Sequence, residues 1–551
     1  MAVLVLGPML RHVTATTATV WVETDEACDV EILGHRARTF TVERHHYALV
    51  VIRDLAPGST NPYEVRLDDH VQWPLPGSAF PQSTIRTLAP ERSTRLLFGS
   101  CRAAAPHEPP YSLELAHDDR GRGVDALRTH GLRMLGMSPD TWPDLLVLVG
   151  DQIYADDTSP GAEERIRALR KANGDDLPPE LVANFEEFTW LYREAWTPEV
   201  ERWMFSVVPS TMVFDDHDMI DDWNISEAWV QDIRREPWWP EHIIGGLMSY
   251  WIYQHLGNLS PDEIDAEGLL ARVQQADDAG EVLRAWAFAS DECTPLPGGY
   301  RFSCYRELGA VRLVVIEARN ARTLDRGKRA MVGDDEWAWV AELCRRPVGH
   351  LVIATSLPVF VPGGLHGLQQ WNEAVCDGAW GRPFAWLGER LRRALDLEDW
   401  PAFDRSFRAF VDLLAEVAAP GPGGSPSTIT VVSGDIHFSY VAGIRLAGSV
   451  EGSTHITQVV SSPIRNALTG RDRRVLQFGV SRFGRWIGGW LQRRVGRGPS
   501  AATWELDDGP FFDNSMGELV FEGDAAKLLI ERSRPDDDGE PILEIMVDHR
   551  L

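Results

Sequence analysis

Five consecutive apolar residues, Leu145–Val149, run straight into Gly150-Asp151-Gln152-Ile153-Tyr154. A run this short and without alternation suits a strand buried on both faces, which needs apolar layers above and below it. Its abrupt end delivers a carboxylate to the rim of a sheet, where α/β folds place their ligands. Alone, the pattern also fits a strand closing in a solvated acidic turn. Three other stretches repeat the design. Residues 95–99 lead into Ser100-Cys101-Arg102. Met212-Val213-Phe214 leads into Asp215-Asp216-His217-Asp218 and on to Asp221-Asp222. Val431-Val432-Ser433 leads into Gly434-Asp435-Ile436-His437-Phe438-Ser439.

Multivalent cations need such donor sets. Carboxylates neutralise the ion, and imidazole, phenolate or thiolate adds softer, stronger donors. Asp435 and His437 are two apart, so in extended chain both face one side. Asp151 has two oxygens and is able to bridge two ions. Cys101 as thiolate and Tyr154 as phenolate favour a ferric ion. Asp215, Asp216, Asp218, Asp221 and Asp222 crowd one loop with like charge, which is unfavourable unless a cation joins them. Each piece also has a plain reading: an inert buried thiol, a loop Gly-Asp, a capping histidine, a solvated acidic run. The set as a whole, with each member at a strand end, carries the chemical reading.

The formal net charge of -28 disfavours a nucleic-acid surface and adhesion to anionic lipid. Cys28, Cys101, Cys293, Cys304, Cys344 and Cys376 are sparse and show no CxxC spacing, so neither a disulfide framework nor a structural zinc module is expected. The opening Met-Ala-Val-Leu-Val-Leu-Gly-Pro reads as a strand, without a basic leader or twin-arginine pair, and no apolar stretch is long enough to span a bilayer. A cytoplasmic location is the expectation.

Residues 1–90 read as an all-β domain of the fibronectin or immunoglobulin type, with a corner around Leu55-Ala56-Pro57-Gly58. Residues 87–94 read as a linker, and 95–551 as the larger domain. There, strands are expected at 312–316, 350–354, 428–432, 454–460, 517–521, 528–531 and 543–547, and helices within 160–205, 240–257 and 381–418. No clean βαβ rhythm emerges, which points to a layered α/β sandwich. Residues 420–426 read as a flexible loop. The stretch 471–497 mixes arginines with Phe478, Phe483, Trp486 and Trp490. A membrane-surface helix fits, but an amphipathic lid or packing helix is the expectation, because Gly479, Gly484, Gly488 and Gly489 weaken the helix and the net charge opposes anionic lipid.

Taken together, these motifs resemble the PhoD-like alkaline phosphatases and phosphodiesterases, within the calcineurin-like metallophosphoesterases. The resemblance rests on Ser100-Cys101, on Gly150 to Tyr154, on Asp215 to Asp218 and on Gly434 to Ser439. More loosely, it rests on Glu317-Ala318-Arg319 and on Met331-Val332-Gly333 before Trp337. It implies a four-layer β-sandwich flanked by helices behind the small β domain. Asp221-Asp222 stands where many members have paired asparagines, and the twin-arginine leader of many members is missing.

The resemblance further implies that Cys101, Asp151, Tyr154, Asp216, Asp435 and His437 hold a multinuclear centre of Fe(III) with Ca(II), other divalent metals being open. The implied reaction is hydrolysis of a small phosphate ester by a metal-bound hydroxide. His217 would serve the leaving group and Arg102 would clamp the phosphate. His366, Trp371 and Asn372, in a Gly-rich loop after a strand, are candidate pocket residues. Two alternatives stay open: a non-catalytic, metal-stabilised binding protein, and a hydrolase with Cys101 as nucleophile. Substitution Cys101→Ser separates the last from the metal reading: it is expected to lower metal content together with turnover, whereas loss of a nucleophile would leave metal content unchanged.

Overall fold

The computed structural model describes the chain except for residues 90–91, 175–176, 179, 293–300, 421–423, 449–453, 467–475, 478 and 499. Cys293, Phe478, residues 471–475 and parts of the expected linker and 420–426 loop lie outside the described residues.

The N-terminal region is all-β, as its alternating pattern demands. Two antiparallel four-stranded sheets run in the order Leu4–Val13, Ala18–Thr24, His45–Ile52, Phe40–Val42 and His35–Arg38, Asp29–Ile32, Val65–Leu67, His70–Trp73. They share a core of Val20, Val22, Val30, Ile32, Val50, Val65 and Leu67. Trp21, Met9 and Tyr47 instead join the core of the helical region that follows. Polar ties reinforce this docking. The Tyr63 hydroxyl donates to the Ser206 carbonyl at 2.7 Å, and Arg11 donates to the Gln254 carbonyl at 2.6 Å.

Two larger sheets follow. The six-stranded sheet runs Ser210–Val213, Leu145–Val149, Thr94–Gly99, Ser515–Glu522, Ala525–Pro535, Pro541–Arg550. Its first three strands are parallel and the rest antiparallel. The seven-stranded sheet runs Cys304–Leu308, Val311–Ile316, His350–Thr355, Thr428–Ser433, His455–Val460, Ser439–Leu446, Ala502–Phe511. Strand Ala502–Phe511 carries Thr503, Glu505 and Asp507 at alternate positions, and Ser439–Leu446 is interrupted by Gly443 and Arg445, so both escape the apolar-run criterion.

The lack of alternation in the parallel strands now has its cause. Leu96, Phe98, Val147 and Val149 share one buried cluster with Val315, Val352, Ala354 and Val432 of the other sheet. The opposite faces, through Leu97, Leu146 and Leu148, pack on Leu127, Trp203 and Met204 of helices. On the second sheet, Val314, Ile353, Ile429 and Val431 pack on Val340, Phe407 and Phe410. Apolar cover on both faces requires apolar residues at every position.

Strand Ser210–Val213 lies at a sheet edge yet is buried. An exposed row of amide groups is a liability there, and a side chain caps it. The Asn258 carbonyl oxygen accepts from the Met212 amide at 2.9 Å and from the Thr211 hydroxyl at 3.1 Å. It also accepts from Arg11 at 3.2 Å, while its amide donates to the Met212 carbonyl. Asn258 follows a π-helical turn at Trp251–His255, a widening that also aims Gln254 at Asp218, 3.1 Å away.

Two expectations change. His366, Trp371 and Asn372 stand on helix Gly363–Cys376, not in a loop. His366 is buried edge-on to Phe407 and Trp504, and Asn372 donates to the Gly388 carbonyl, so both are packing residues. The Arg/Trp-rich segment forms helix Arg482–Arg494, but its aromatics do not provide its packing. Phe483, Trp486 and Trp490 are exposed, while Gly484 and Gly488 are buried.

Because Asn258 bonds the buried edge strand that leads into Asp215 and Asp216, Asn258→Ala is expected to destabilise the protein by about 3 kcal/mol, leaving buried amide groups and Arg11 under-bonded. The midpoint of urea unfolding measures it.

Candidate metal centre

Four strands, Thr94–Gly99, Leu145–Val149, Ser210–Val213 and Thr428–Ser433, end at one place, the first three from one sheet and the last from the other. The sheets are stitched there. Asp435 N donates to Ser100 Oγ at 3.1 Å, and Cys101 N donates to the Gly150 carbonyl at 3.4 Å. Gly150 sits at φ 120°, and a Cβ on it would lie 2.8 Å from the Asp215 Cβ, so a larger residue would hold the second and third strand ends apart.

Three of the four turns place side-chain-bearing residues in left-handed backbone. Cys101 has φ 59°, Asp151 φ 42°, Asp435 φ 65° and His437 φ 51°. Such conformations are uncommon for non-glycine residues and concentrate at functional sites, where surrounding structure holds them. Here they turn donor atoms inward. Ligand atoms of Cys101, Asp151 and His437 lie within 4.8 Å of one another, and so do those of Asp151, Asp216 and Asp435. Asp151 belongs to both groups.

The Asp151 carboxylate is buried, and neither of its oxygens has a hydrogen-bond partner among the described residues. Burial, and then Asp215, Asp216 and Asp218, push its pKa well above the carboxylate range, with His217 opposing. Asp435 is likewise raised by burial and by Asp215 and Asp216. Burial, with Asp151 and Asp435, pushes the Cys101 thiol well up. The Cys101 Sγ accepts from Ser462 Oγ at 3.2 Å and lies 3.4 Å from the Asp435 carbonyl oxygen. Burial also raises the Tyr154 phenol, with Cys101 and Asp151 adding to it. Its hydroxyl accepts from the Asn466 amide at 3.0 Å, and its ring lies 4.7 Å from that of His217. All four groups resist ionising where they stand, and a nearby multivalent cation would reverse that.

The acidic loop is only partly free for such a cation. Arg319, fully buried, binds Asp215 through Nε, lies 3.2 Å from Asp216 and 3.5 Å from Asp435, and pairs with Glu398 at 2.6 Å. Burial opposes charge on Asp216, but Arg319 and His217 outweigh it and hold Asp216 below the ordinary carboxylate value. Asp218 is a tie between loops. It accepts from the amides of Asp215 at 3.0 Å, Gln152 at 3.2 Å and Ile153 at 3.3 Å. Asp221 and Asp222 are pushed up to about 6 and about 9, by burial first and then by Asp216 and Glu398 respectively. The five aspartates therefore do not converge on one ion. A guanidinium and backbone amides relieve part of the repulsion.

His217 Nδ1 donates to Asp156 at 2.9 Å, which leaves Nε2 as its other face. Burial disfavours its protonation, but Asp156, Asp216 and Asp151 outweigh burial and raise the imidazole well above its ordinary value. Beside Tyr154 opens a cavity of about 130 Å³, lined among others by Tyr111, Arg120, Arg122, Ile153 and Leu191.

Arg102 is not a phosphate clamp. It is buried, with Nε on Asp125 at 2.9 Å, Nη2 on Glu201 at 2.7 Å and Nη1 on the Ala195 carbonyl at 2.7 Å. Its partners also explain the third convergent set, His107, Asp125 and Glu201, whose acids this arginine neutralises. Sequence reading missed Asp156, Asn466 and Glu398 and reached Arg319 only as a loose echo. Asn466 lies 312 positions from Tyr154 and has no local signature.

Residues 1–85 match a family model described as a domain of unknown function (DUF7800). No curated protein matches the chain. Among solved structures, the chain is similar to one titled "Structure of PhoD", at 10% identity and TM-score 0.58 over 99% of this chain and 90% of that one. A maltogenic amylase from S. marinus, at 10% identity over 96% of this chain and 76% of its own, has a TM-score of 0.16, too low to support an argument. The likeness to PhoD is one of fold.

A buried carboxylate without donors is unfavourable unless a cation joins it. Asp151→Asn is therefore expected to raise the thermal midpoint of the chelated protein by about 2 °C, since asparagine tolerates the same left-handed backbone. With metal present, the same variant is expected to bind less metal and melt below the wild type.

Proposed function

From a PhoD-like fold whose strand ends converge on a shared, unpartnered aspartate, we propose that this protein is a metal-dependent phosphoesterase. Asp151 carries the reading: a doubly orphaned carboxylate, common to two donor groups, suits a bridge between two ions. The donor chemistry fits two different ions. Cys101 and His437, with Tyr154 close by, form a strongly donating group whose anionic thiolate and phenolate suit Fe(III). Asp216 and Asp435 with Asp151 form an all-oxygen group suited to Ca(II). Bound there, such ions supply Lewis acidity that brings the pKa of water toward neutrality and offsets charge on phosphoryl oxygens.

The chain's own residues do the rest. Arg319 holds Asp215, Asp216 and Asp435 in register, so the oxygen donors are placed before any ion arrives. Asp156 fixes the ring of His217, whose Nε2 is assigned to donate a proton to the departing ester oxygen. Tyr154, held by Asn466, forms a wall shared with the cavity of Tyr111 and Arg122, the place assigned to the rest of a small phosphate ester. The buried thiol of Cys101, raised rather than lowered by its surroundings, favours the ligand role over that of nucleophile. Residues 1–90 are assigned to the small β domain and 95–551 to the catalytic one, in a helix–sheet–sheet–helix layering. Cytoplasmic residence belongs to the same reading, supported by free cysteines at Cys28, Cys101, Cys304, Cys344 and Cys376.

The test is hydrolysis of a chromogenic aryl phosphate and its bis-aryl diester at mildly alkaline pH. Turnover is expected to vanish with chelator and return with iron and calcium. A metal-replete protein without turnover on either ester overturns the enzyme reading in favour of a metal-stabilised binding protein. The loaded protein is also expected to absorb visible light through Tyr154 or Cys101 on ferric ion, a band that Tyr154→Phe shifts. A colourless, active, iron-free enzyme removes the iron assignment and spares the hydrolase.

A further inference from the structure

We propose that helices Arg382–Ala394 and Arg482–Arg494 form a docking face for an anionic lipid surface. The observation behind it is an inversion of the usual amphipathic arrangement. Helix Arg482–Arg494 docks on helix Gly363–Cys376 through glycine. A Cβ on Gly367 would lie 2.3 Å from the Gly488 carbonyl carbon, and one on Gly364 would lie 2.9 Å from that of Gly484. Backbones this close leave no room for the large side chains, which turn outward. Phe483, Trp486 and Trp490 are 61%, 63% and 41% exposed. Helix Arg382–Ala394 also packs on helix Gly363–Cys376, with Gly388 against Cys376 and Val375, and its Phe384, Trp386 and Leu387 are 50%, 59% and 56% exposed. Six large apolar side chains on two helices flanking a third are far more than scattered surface residues, and such clusters mark interaction sites.

Charge selects the occupant. Residues 481–497 contain Arg482, Arg485, Arg493, Arg494 and Arg497 and no acidic residue, in a chain of net charge -28. Of these, Arg497 is committed to Glu373 and Asp404 inside the protein. Arg482, Arg485, Arg493 and Arg494 form no ion pair among the described residues, and Arg494 lies over the Trp490 ring. On the neighbouring helix, Arg390 lies over Trp386, while Arg392 and Arg393 pair with Glu389. Tryptophan flanked by arginine is the composition that settles at a lipid headgroup boundary: the ring enters the acyl edge and the guanidinium meets phosphate. The remote negative charge does not forbid this, because salt screens it beyond about 10 Å. The whole-chain balance therefore misleads about adhesion to anionic lipid; the local face decides it. No described helix is long and apolar enough to cross a membrane, so the contact lies on the surface.

The experiment is co-sedimentation of the full chain with vesicles of phosphatidylcholine alone and with about 30% phosphatidylglycerol, near 50 mM and 500 mM salt. Binding is expected only to the anionic vesicles and weakens at the higher salt. Trp486→Ser with Trp490→Ser is expected to lower binding about tenfold or more, and Arg493→Gln with Arg494→Gln to abolish the preference for anionic lipid. Both leave ester hydrolysis unchanged. Brominated acyl chains are expected to quench wild-type tryptophan fluorescence, a readout that needs no variant. Absence of binding at low salt, absence of quenching, or equal binding to neutral vesicles overturns the proposal. So does a wild-type oligomer that the tryptophan substitutions dissociate, because a second copy would then cover the face.

Discussion

Asp151 places a carboxylate out of solvent and, among the described residues, without a hydrogen-bond donor, and the surrounding strand ends are organised around that unmet demand. Removing charge from water costs far more than ordinary packing returns, so such a group stays protonated unless a cation joins it. The same pressure runs through its neighbours. Cys101, Tyr154 and Asp435 are all held away from their ionised forms by burial and by one another. Four left-handed residues in three turns spend local conformational stability to aim these groups at a common centre.

The chain answers part of that demand itself. Arg319 enters from the second sheet and neutralises the outer edge of the acidic cluster, while Glu398 balances its far side. Asp218, the centre of the acidic run in sequence, is withdrawn entirely and ties three backbone amides. The result is a graded cluster: an outer edge compensated by protein, and an inner edge at Asp151 left uncompensated by the described residues. A wholly uncompensated cluster would oppose folding, and a wholly compensated one would hold no metal.

Much of this was legible in the residues. Leu145–Val149 announced a strand covered on both faces, and the packing of Val147 and Val149 one way and Leu146 and Leu148 the other is the reason. The acid-bearing ends could be picked out because an apolar strand that stops in Gly-Asp is a local pattern. Arg102 misled because sequence displays a cation beside a site but not the direction it faces; Asp125 and Glu201, 23 and 99 positions away, claim it. The glycines of 484–489 misled in the opposite sense. Read along the chain they weaken a helix, yet across the fold they let two helices approach backbone to backbone.

Alternation, apolar runs and turn residues depend on neighbours a few positions apart, so the sequence by itself determined the apolar strands, the N-terminal β region and the acid-bearing strand ends. Charge compensation and exposure depend on groups hundreds of positions apart meeting in space. Only the tertiary structure decided that Arg319 shields Asp215, that Asn466 holds Tyr154, that Asn258 closes a buried edge, and that Trp486 faces outward while Gly488 packs inward.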